Sequence, residues 1–329
     1  SIHGWQNRMP SLQRQPVFGV LVGQPIYPLE QSPLFRLSSR KRLAQDVLSV
    51  DFPFLERLAN GRSNYSVFKR VTGGKERRIE LPCSNLQKIH LKLFTLLAKL
   101  ETPDYLHSGV AGRSYVTNAM VHIGNVPLVN LDIKKYYPSV DGARIYRFFA
   151  SAMGCSPDVA GLLTRLCTFD NHLPIGSCVS QTLAFHATKP LFDELHQLAV
   201  EAGVRESYYV DDLTWSGANA TPSFLWKAKQ IVHRHGFDHH KGRCFAAHQN
   251  RLVTGVLLKG LKATILPSKE LEMWKALRGL GELYPHERPA ALERLIGWLT
   301  AASQIEPRFA NRIPQLRQQM RDSSTALAA

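Results

Sequence analysis

Apolar residues recur along this chain with two periods, and the changes of period mark its elements. Between residues 34 and 62, Leu43, Val47, Leu55 and Leu58 share the apolar face of a helical stretch that carries a basic patch at Arg40-Lys41-Arg42. Two short extended runs, Tyr65 to Val71 and Glu76 to Pro82, flank Gly73-Gly74, which is a hairpin signal. Leu86, Ile89, Leu93 and Leu97 predict a helix over 84–101. From Val126 to Val140 the period drops to two: Val129, Leu131 and Ile133 face one side of a strand, Asn130 and Asp132 the other. Residues 157–168 read as helix. A further helical stretch follows Gly176-Ser177 and is interrupted at Pro190, which starts a second helix ending at Gly203. Residues 206–216 read as a second hairpin, 222–236 as helix, 250–266 as strand, and three helical stretches follow from Ser268 onward. Mixed strands and helices followed by helices alone predict an α+β fold with a helical C-terminal subdomain. Residues 1–33, rich in Pro and Gln, are expected to form a loose N-terminal extension.

The chain's 329 residues suffice for two or three packed subdomains. No apolar run reaches the roughly 18 residues a membrane-spanning helix needs, and no signal peptide is visible, so a cytoplasmic protein is expected. Five cysteines (Cys83, Cys155, Cys167, Cys178 and Cys244) are odd in number and form no Cys-x-x-Cys pair, which fits a reducing compartment. Charge changes the picture more. Lys and Arg number 41 against 26 Asp and Glu, a net +15, and residues from Trp226 onward hold 17 basic and 8 acidic residues, or +9 of it. Such a surface attracts polyanions.

Three aspartates carry the candidate chemistry. Asp132 lies on the polar side of its strand, and Asp211 and Asp212 stand side by side in Tyr208-Tyr209-Val210-Asp211-Asp212-Leu213. A carboxylate pair among apolar residues shifts its pKa or recruits a cation. Hard oxygen donors favour Mg²⁺, and two such ions stabilise the attacking and leaving oxygens of a phosphoryl displacement. His233, His235, His239, His240 and His248 cluster with Cys244, but their spacing matches no strong zinc pattern.

Leu131-Asp132-Ile133-Lys134-Lys135-Tyr136-Tyr137-Pro138-Ser139-Val140 and Tyr209-Val210-Asp211-Asp212 resemble the first and third palm motifs of reverse transcriptases. Leu173-Pro174-Ile175-Gly176-Ser177-Cys178-Val179-Ser180 occupies the place of the second, and Gly74-Lys75-Glu76-Arg77-Arg78-Ile79 resembles the fingers motif. Asn118-Ala119-Met120-Val121-His122 and Val253-Thr254-Gly255 are similar to two motifs of the bacterial retron type. The resemblance implies a right-hand polymerase: an N-terminal extension (1–33), fingers (34–125), a palm with an antiparallel sheet and interleaved fingers elements (126–256), and a helical thumb (257–329).

It also implies roles. Asp132, Asp211 and Asp212 would be catalytic and, with Ile133, would form the site of two Mg²⁺ ions. Arg70, Lys75 and Arg77 would hold the triphosphate of a dNTP, Tyr137 would be the steric gate against a ribose 2′-OH, and Gly176 and Ser177 would let the backbone approach the nascent pair. Lys241 would protonate pyrophosphate. Asn118, His122, Val253, Thr254 and Gly255 would bind RNA. Thumb residues Lys269, Lys275, Arg278, Arg294, Arg308, Arg312 and Arg317 would track a nucleic-acid backbone. One departure stands out: the family usually has Gln where this chain has Ile175. The implied partners are a cognate structured non-coding RNA, primed from an internal 2′-OH, its branched DNA product (msDNA) and a separate effector in antiphage defence, with no membrane. The alternatives are another bacterial defence or group II-like reverse transcriptase, and an RNA-binding scaffold of a defence complex.

Overall fold

A computed structural model describes residues 25–61, 63–72 and 75–328. Most of the N-terminal extension therefore lies outside the described residues. Its last part is not loose: Tyr27 N–H donates to Lys99 O at 3.0 Å and Tyr27 O accepts from Glu101 N–H at 3.0 Å. The fold is α+β. Its strands are β1 (Tyr65–Thr72), β2 (Lys75–Pro82), β3 (Leu128–Ile133), β4 (Arg205–Tyr209), β5 (Asp212–Ser216), β6 (His239–Phe245), β7 (Arg251–Val253), β8 (Val256–Lys259) and β9 (Lys262–Ile265). They form a two-stranded sheet β1-β2, a four-stranded sheet of order β4-β5-β3-β6 and a three-stranded sheet β7-β8-β9.

The chain divides into two compact units, each assembled from three separate segments. The first holds the described residues through Arg113, Ile133–Leu198 and Ala228–His240. Here the helix expected over 34–62 is split. A turn of helix at Arg40–Arg42 widens into a π-type turn at Leu43–Val47, and a new helix, Phe52–Asn60, starts with Pro53 in its first turn. Leu43 and Leu55 face inward at 0% exposure. The hairpin forms as its pattern predicts, with Arg70 opposite Arg77. The helix Ser84–Leu97 buries Leu86, Ile89, Leu93 and Leu97 and packs on Ser180–Ala187; Phe52–Asn60 packs on Pro157–Cys167. Pro190 sits in the first turn of Lys189–Ala202, which ends at Gly203 with φ +61°.

The second unit holds Ser114–Asp132, Ala199–Lys227 and Lys241–Ala329. β3 is shorter than its period suggests and ends at Ile133, because Lys135 turns left-handed (φ +49°) into one turn of helix, Tyr136–Ser139. Val129, Leu131, Leu213 and Trp215 make one apolar sheet face, with Trp215 set edge-on to Tyr208 (5.7 Å) and Phe224 (5.4 Å). The run 250–266 is a three-stranded meander rather than one strand, and its first turn is Thr254-Gly255. Arg251 is fully buried in it, donating to the carbonyls of Val126 (2.9 Å) and Gly124. Three helices, Pro267–Gly279, Arg288–Ser303 and Ile313–Ala328, close the chain around Met273, Leu292, Leu295, Leu299, Phe309 and Leu316. No helix among the described residues is long and apolar enough to cross a membrane.

Two buried histidines make the first unit acid-sensitive. His90 and His186 are both pushed down to about 4 by loss of solvent. An unfolded histidine titrates near 6.5. The unfolded chain therefore binds the protons more readily: stability is complete above about pH 6.5, falls as pH drops through that value, and stops falling near 4. Urea unfolding at about pH 7 and pH 5 should differ by an amount on the order of 2 kcal/mol for each ring. His90→Gln should flatten that dependence; an unchanged slope would assign it elsewhere.

Candidate active site

The ladder between β3 and β5 sets two of the three aspartates against each other. Asp132 pairs directly with Asp212, and next along the same face come Asn130 with Thr214 and Leu128 with Ser216. Tyr209 pairs with Asp212 from the other side. Asp211 belongs to the two-residue turn Val210-Asp211 that joins β4 to β5. Val210 takes φ +59°, a conformation that favours glycine and that a β-branched residue adopts at a cost of about 1–3 kcal/mol. The turn thus projects adjacent carboxylates from the sheet's end through local strain. All three aspartates are half-buried and belong to the second unit. Ile133, next in the chain, has a fully buried side chain with no donor atom, so only its main-chain oxygen could reach a cation.

The donor set is all-carboxylate, and in kind it suits a hard dication such as Mg²⁺ rather than zinc. Among the described residues no three His, Cys, Asp or Glu side chains are gathered closely enough to hold a metal ion. The backbone brings the aspartates to one end of one sheet, with Asp132 and Asp212 paired and Asp211 in the adjoining turn. That absence also covers the histidine-rich segment, where His233 Nε2 meets His239 Nδ1 at 3.0 Å and His235 Nε2 is bound to Glu194 at 2.7 Å.

The residues expected to hold a nucleotide lie in the first unit, except Lys241, whose backbone is in β6. Arg70 and Arg77 face each other across β1 and β2, both exposed. Like charges in this position oppose pairing. Among the described residues neither has an ion-pair partner, whereas Lys69 is paired with Glu76 at 2.8 Å and Arg78 with Glu80 at 3.2 Å and Asp170 at 3.3 Å. Lys75 pairs with Thr72 in the backbone ladder. Of the two adjacent tyrosines, Tyr136 is the core residue: it is 4% exposed, its hydroxyl donates to Thr188 Oγ1 at 2.8 Å, and it packs on Phe192 and Phe237. Tyr137 keeps surface and lies 5.8 Å from the Tyr136 ring.

Gly176 is held against β2. It takes φ +132°, and a Cβ there would come 2.9 Å from Glu80 O. Glu80 fastens the loop on both sides: its N–H donates to Ile175 O at 2.7 Å, and its carboxylate accepts from Ile175 N–H at 3.3 Å and meets His172 Nε2 at 3.0 Å. Ser177 is turned inward. His90 Nε2–H donates to Leu166 O at 2.7 Å, so its Nδ1 accepts from Ser177 Oγ–H, also at 2.7 Å. Sequence reasoning missed Glu80 and His90, which lie far from Gly176 in the chain, and also His172, four residues before it.

The retron-type motifs are mostly interior. Asn118 and His122 are 0% exposed and Val253 1%, so the side chains of these three residues are enclosed by the protein. Gly255 is exposed and Thr254 half-buried; both take positive φ (+85° and +45°), a turn of the kind that matches strand twist. Among the cations of the C-terminal helical region, Arg308 is paired with Glu270 and Glu306, Lys269 with Glu272, and Arg312 lies over Trp274 at 4.5 Å. Lys275, Arg278, Arg294 and Arg317 are exposed.

No protein-family model matches the chain. Among known proteins it is 33% identical over 201 residues to the retron Se72 reverse transcriptase of Salmonella heidelberg, covering 59% of this chain and 49% of that protein. It is 24% identical over 257 residues to the retron Ec86 reverse transcriptase of Escherichia coli, covering 76% and 78%. It is 31% identical over 195 residues to the retron Mx65 reverse transcriptase of Myxococcus xanthus, covering 53% and 45%. The chain thus spans about half the length of the Se72 relative. Among solved structures, apo telomerase from Candida Tropicalis gives a TM-score of 0.46 at 9% identity, covering 62% of this chain and 55% of that one. The foamy viral protease-reverse transcriptase in complex with double-stranded DNA gives 0.45 at 13%, covering 89% and 47%.

Gly176→Ala should force the loop off β2, lowering stability by about 1–3 kcal/mol in urea unfolding. A variant as stable as the parent would show that the loop has room to move.

Proposed function

We propose that this relative of the retron reverse transcriptases is an RNA-directed DNA polymerase that copies a cognate structured non-coding RNA. Priming from an internal 2′-OH of that RNA would give a branched RNA–DNA hybrid, and the setting would be antiphage defence with a separate effector. One observation carries the reading: Asp132 and Asp212 are paired across the ladder, with Asp211 beside them in a strained turn. The similarity to retron reverse transcriptases supports it. In this reading residues 34–125 are fingers, 126–256 palm and 257–329 thumb.

Asp132, Asp211 and Asp212, with the main-chain oxygen of Ile133, would hold two magnesium ions. When bound, these would stabilise charge on the attacking and leaving oxygens of an in-line displacement. The remaining work belongs to the chain's own side chains. Arg70, Arg77 and Lys75 receive the triphosphate; the opposed, unneutralised pair Arg70 and Arg77 gains most from an anion. Tyr137, the tyrosine with surface, bars a 2′-OH. Gly176 and Ser177 border the nascent pair through backbone, the Ser177 hydroxyl being engaged by His90. Lys241 delivers a proton to the departing pyrophosphate. The exposed Lys275, Arg278, Arg294 and Arg317 follow the nucleic-acid backbone.

The test is to purify the protein from its native locus and sequence the nucleic acid bound to it. A short RNA with covalently attached DNA is expected from the parent and absent from Asp211→Asn, with RNA copying reduced on the order of a thousandfold. Unmodified RNA from both would favour a scaffold. Tyr137→Ala should leave dNTP use largely intact and admit ribonucleotides; unchanged sugar selection would remove the gate from Tyr137.

A further inference from the structure

The Asn118 and His122 side chains lie inside the second unit, and what the His122 ring grips is the hairpin that carries the aspartates. His122 Nε2 is 2.8 Å from Ser207 Oγ on β4, and its Nδ1 is 2.7 Å from Ser216 Oγ on β5. The proton count assigns the roles. Ser207 Oγ donates its one proton to the main-chain oxygen of Asn118 at 3.1 Å, so it accepts from His122, and Nε2 carries the hydrogen. The neutral ring then offers Nδ1 as acceptor, and Ser216 Oγ–H donates to it. Ser207 and Ser216 are 0% exposed, like the ring. In such a setting a hydrogen bond left unmade is at its most costly.

The two serines are not opposite each other. Ser207 faces Thr214, and Ser216 faces Arg205. The imidazole therefore bridges a diagonal, and a slide of β4 along β5 would break it. Ser207 stands four residues before Asp211 and Ser216 four after Asp212. At about 3.3 Å per residue the bridge sits roughly 13 Å behind the turn, at the root of the hairpin. The helix Tyr115–Met120, which carries Asn118, is anchored in turn: Asn118 Nδ2 donates to Thr254 Oγ1 at 3.4 Å, and Thr254 Oγ1 donates to Tyr115 O at 2.7 Å. The Val-Thr-Gly turn and the Asn-Ala-x-x-His segment are one hydrogen-bonded assembly.

We infer that His122 is a positioning residue, holding β4 and β5 in the shear that presents Asp211 and Asp212 to Asp132, with Asn118 and Thr254 securing it from behind. The inference rests on the reading of these aspartates as the metal-binding catalytic set.

The test uses the full chain as Ser216→Ala, His122→Phe and, as the conservative variant, Ser216→Thr. Mn²⁺ binding is measured by titration calorimetry without nucleotide, amide hydrogen exchange is followed in residues 205–216, and RNA affinity and RNA copying are measured alongside. Ser216→Ala and His122→Phe should bind Mn²⁺ about tenfold more weakly and exchange those amides faster, with RNA affinity unchanged. Ser216→Thr should restore both. Mn²⁺ affinity and exchange equal to the parent's in Ser216→Ala overturn the proposal, as does a loss of RNA affinity alone, which would return the motif to RNA contact. Parent Mn²⁺ binding that is missing, or that Asp211→Asn leaves intact, also overturns it. If the Mn²⁺ pattern holds while the parent copies no RNA, the polymerase reading fails and the positioning role stands.

Discussion

Adjacent carboxylates repel, and a third facing them across a ladder adds to the repulsion; attraction among the three cannot hold them at one end of a sheet. The strands behind them must. In this protein β3, β4 and β5 do so with two unlike faces. On one, Val129, Leu131, Leu213 and Trp215 are buried apolar side chains, which resist any register slip because a one-residue shift would bring polar groups into the core. On the other, Ser207, Thr214 and Ser216 are buried polar groups, tolerable only because hydrogen bonds meet them. The imidazole of His122 supplies partners for two of the three. Val210, held at positive φ in the turn, is strain that such a braced hairpin can carry.

The first unit solves the opposite problem of charge. Arg70 and Arg77 are held face to face on an exposed hairpin, while their neighbours Lys69 and Arg78 are neutralised by Glu76, Glu80 and Asp170. Alternation along a strand makes this sorting possible, since it sends odd and even residues to opposite faces. Glu80 does more than pair. As a nearly buried carboxylate it binds Ile175 and His172, so the loop that bears Gly176 is built on the hairpin's own second strand. Closeness of backbones there leaves no room for a Cβ.

Local patterns were enough for much of this. Period two exposed Asp132 as the polar face of β3, extended runs on either side of Gly73-Gly74 and around the adjacent aspartates marked both hairpins, Pro190 divided two helices, and the three C-terminal helices were evident from their spacing. Each depends on residues a few positions apart, which is the range over which side-chain period and turn chemistry act. The pattern failed where geometry intervened. Lys135 turned left-handed and cut β3 short, a π-type turn broke the first helical stretch, and the His239–Phe245 segment became a strand with no clear alternation to announce it.

Residue types and order alone determined the α+β class, the three aspartates and the motifs that mark a relative of the retron reverse transcriptases. What those motifs touch was decided by tertiary structure. Helical spacing put Asn118 and His122 on one face, and the resemblance implied an RNA contact for them. Their partners, Ser207, Ser216 and Thr254, lie 85 to 136 residues away. Burial and a hydrogen-bond partner at that separation exist only once the sheet has formed, because they belong to the packing of strands and not to any one of them.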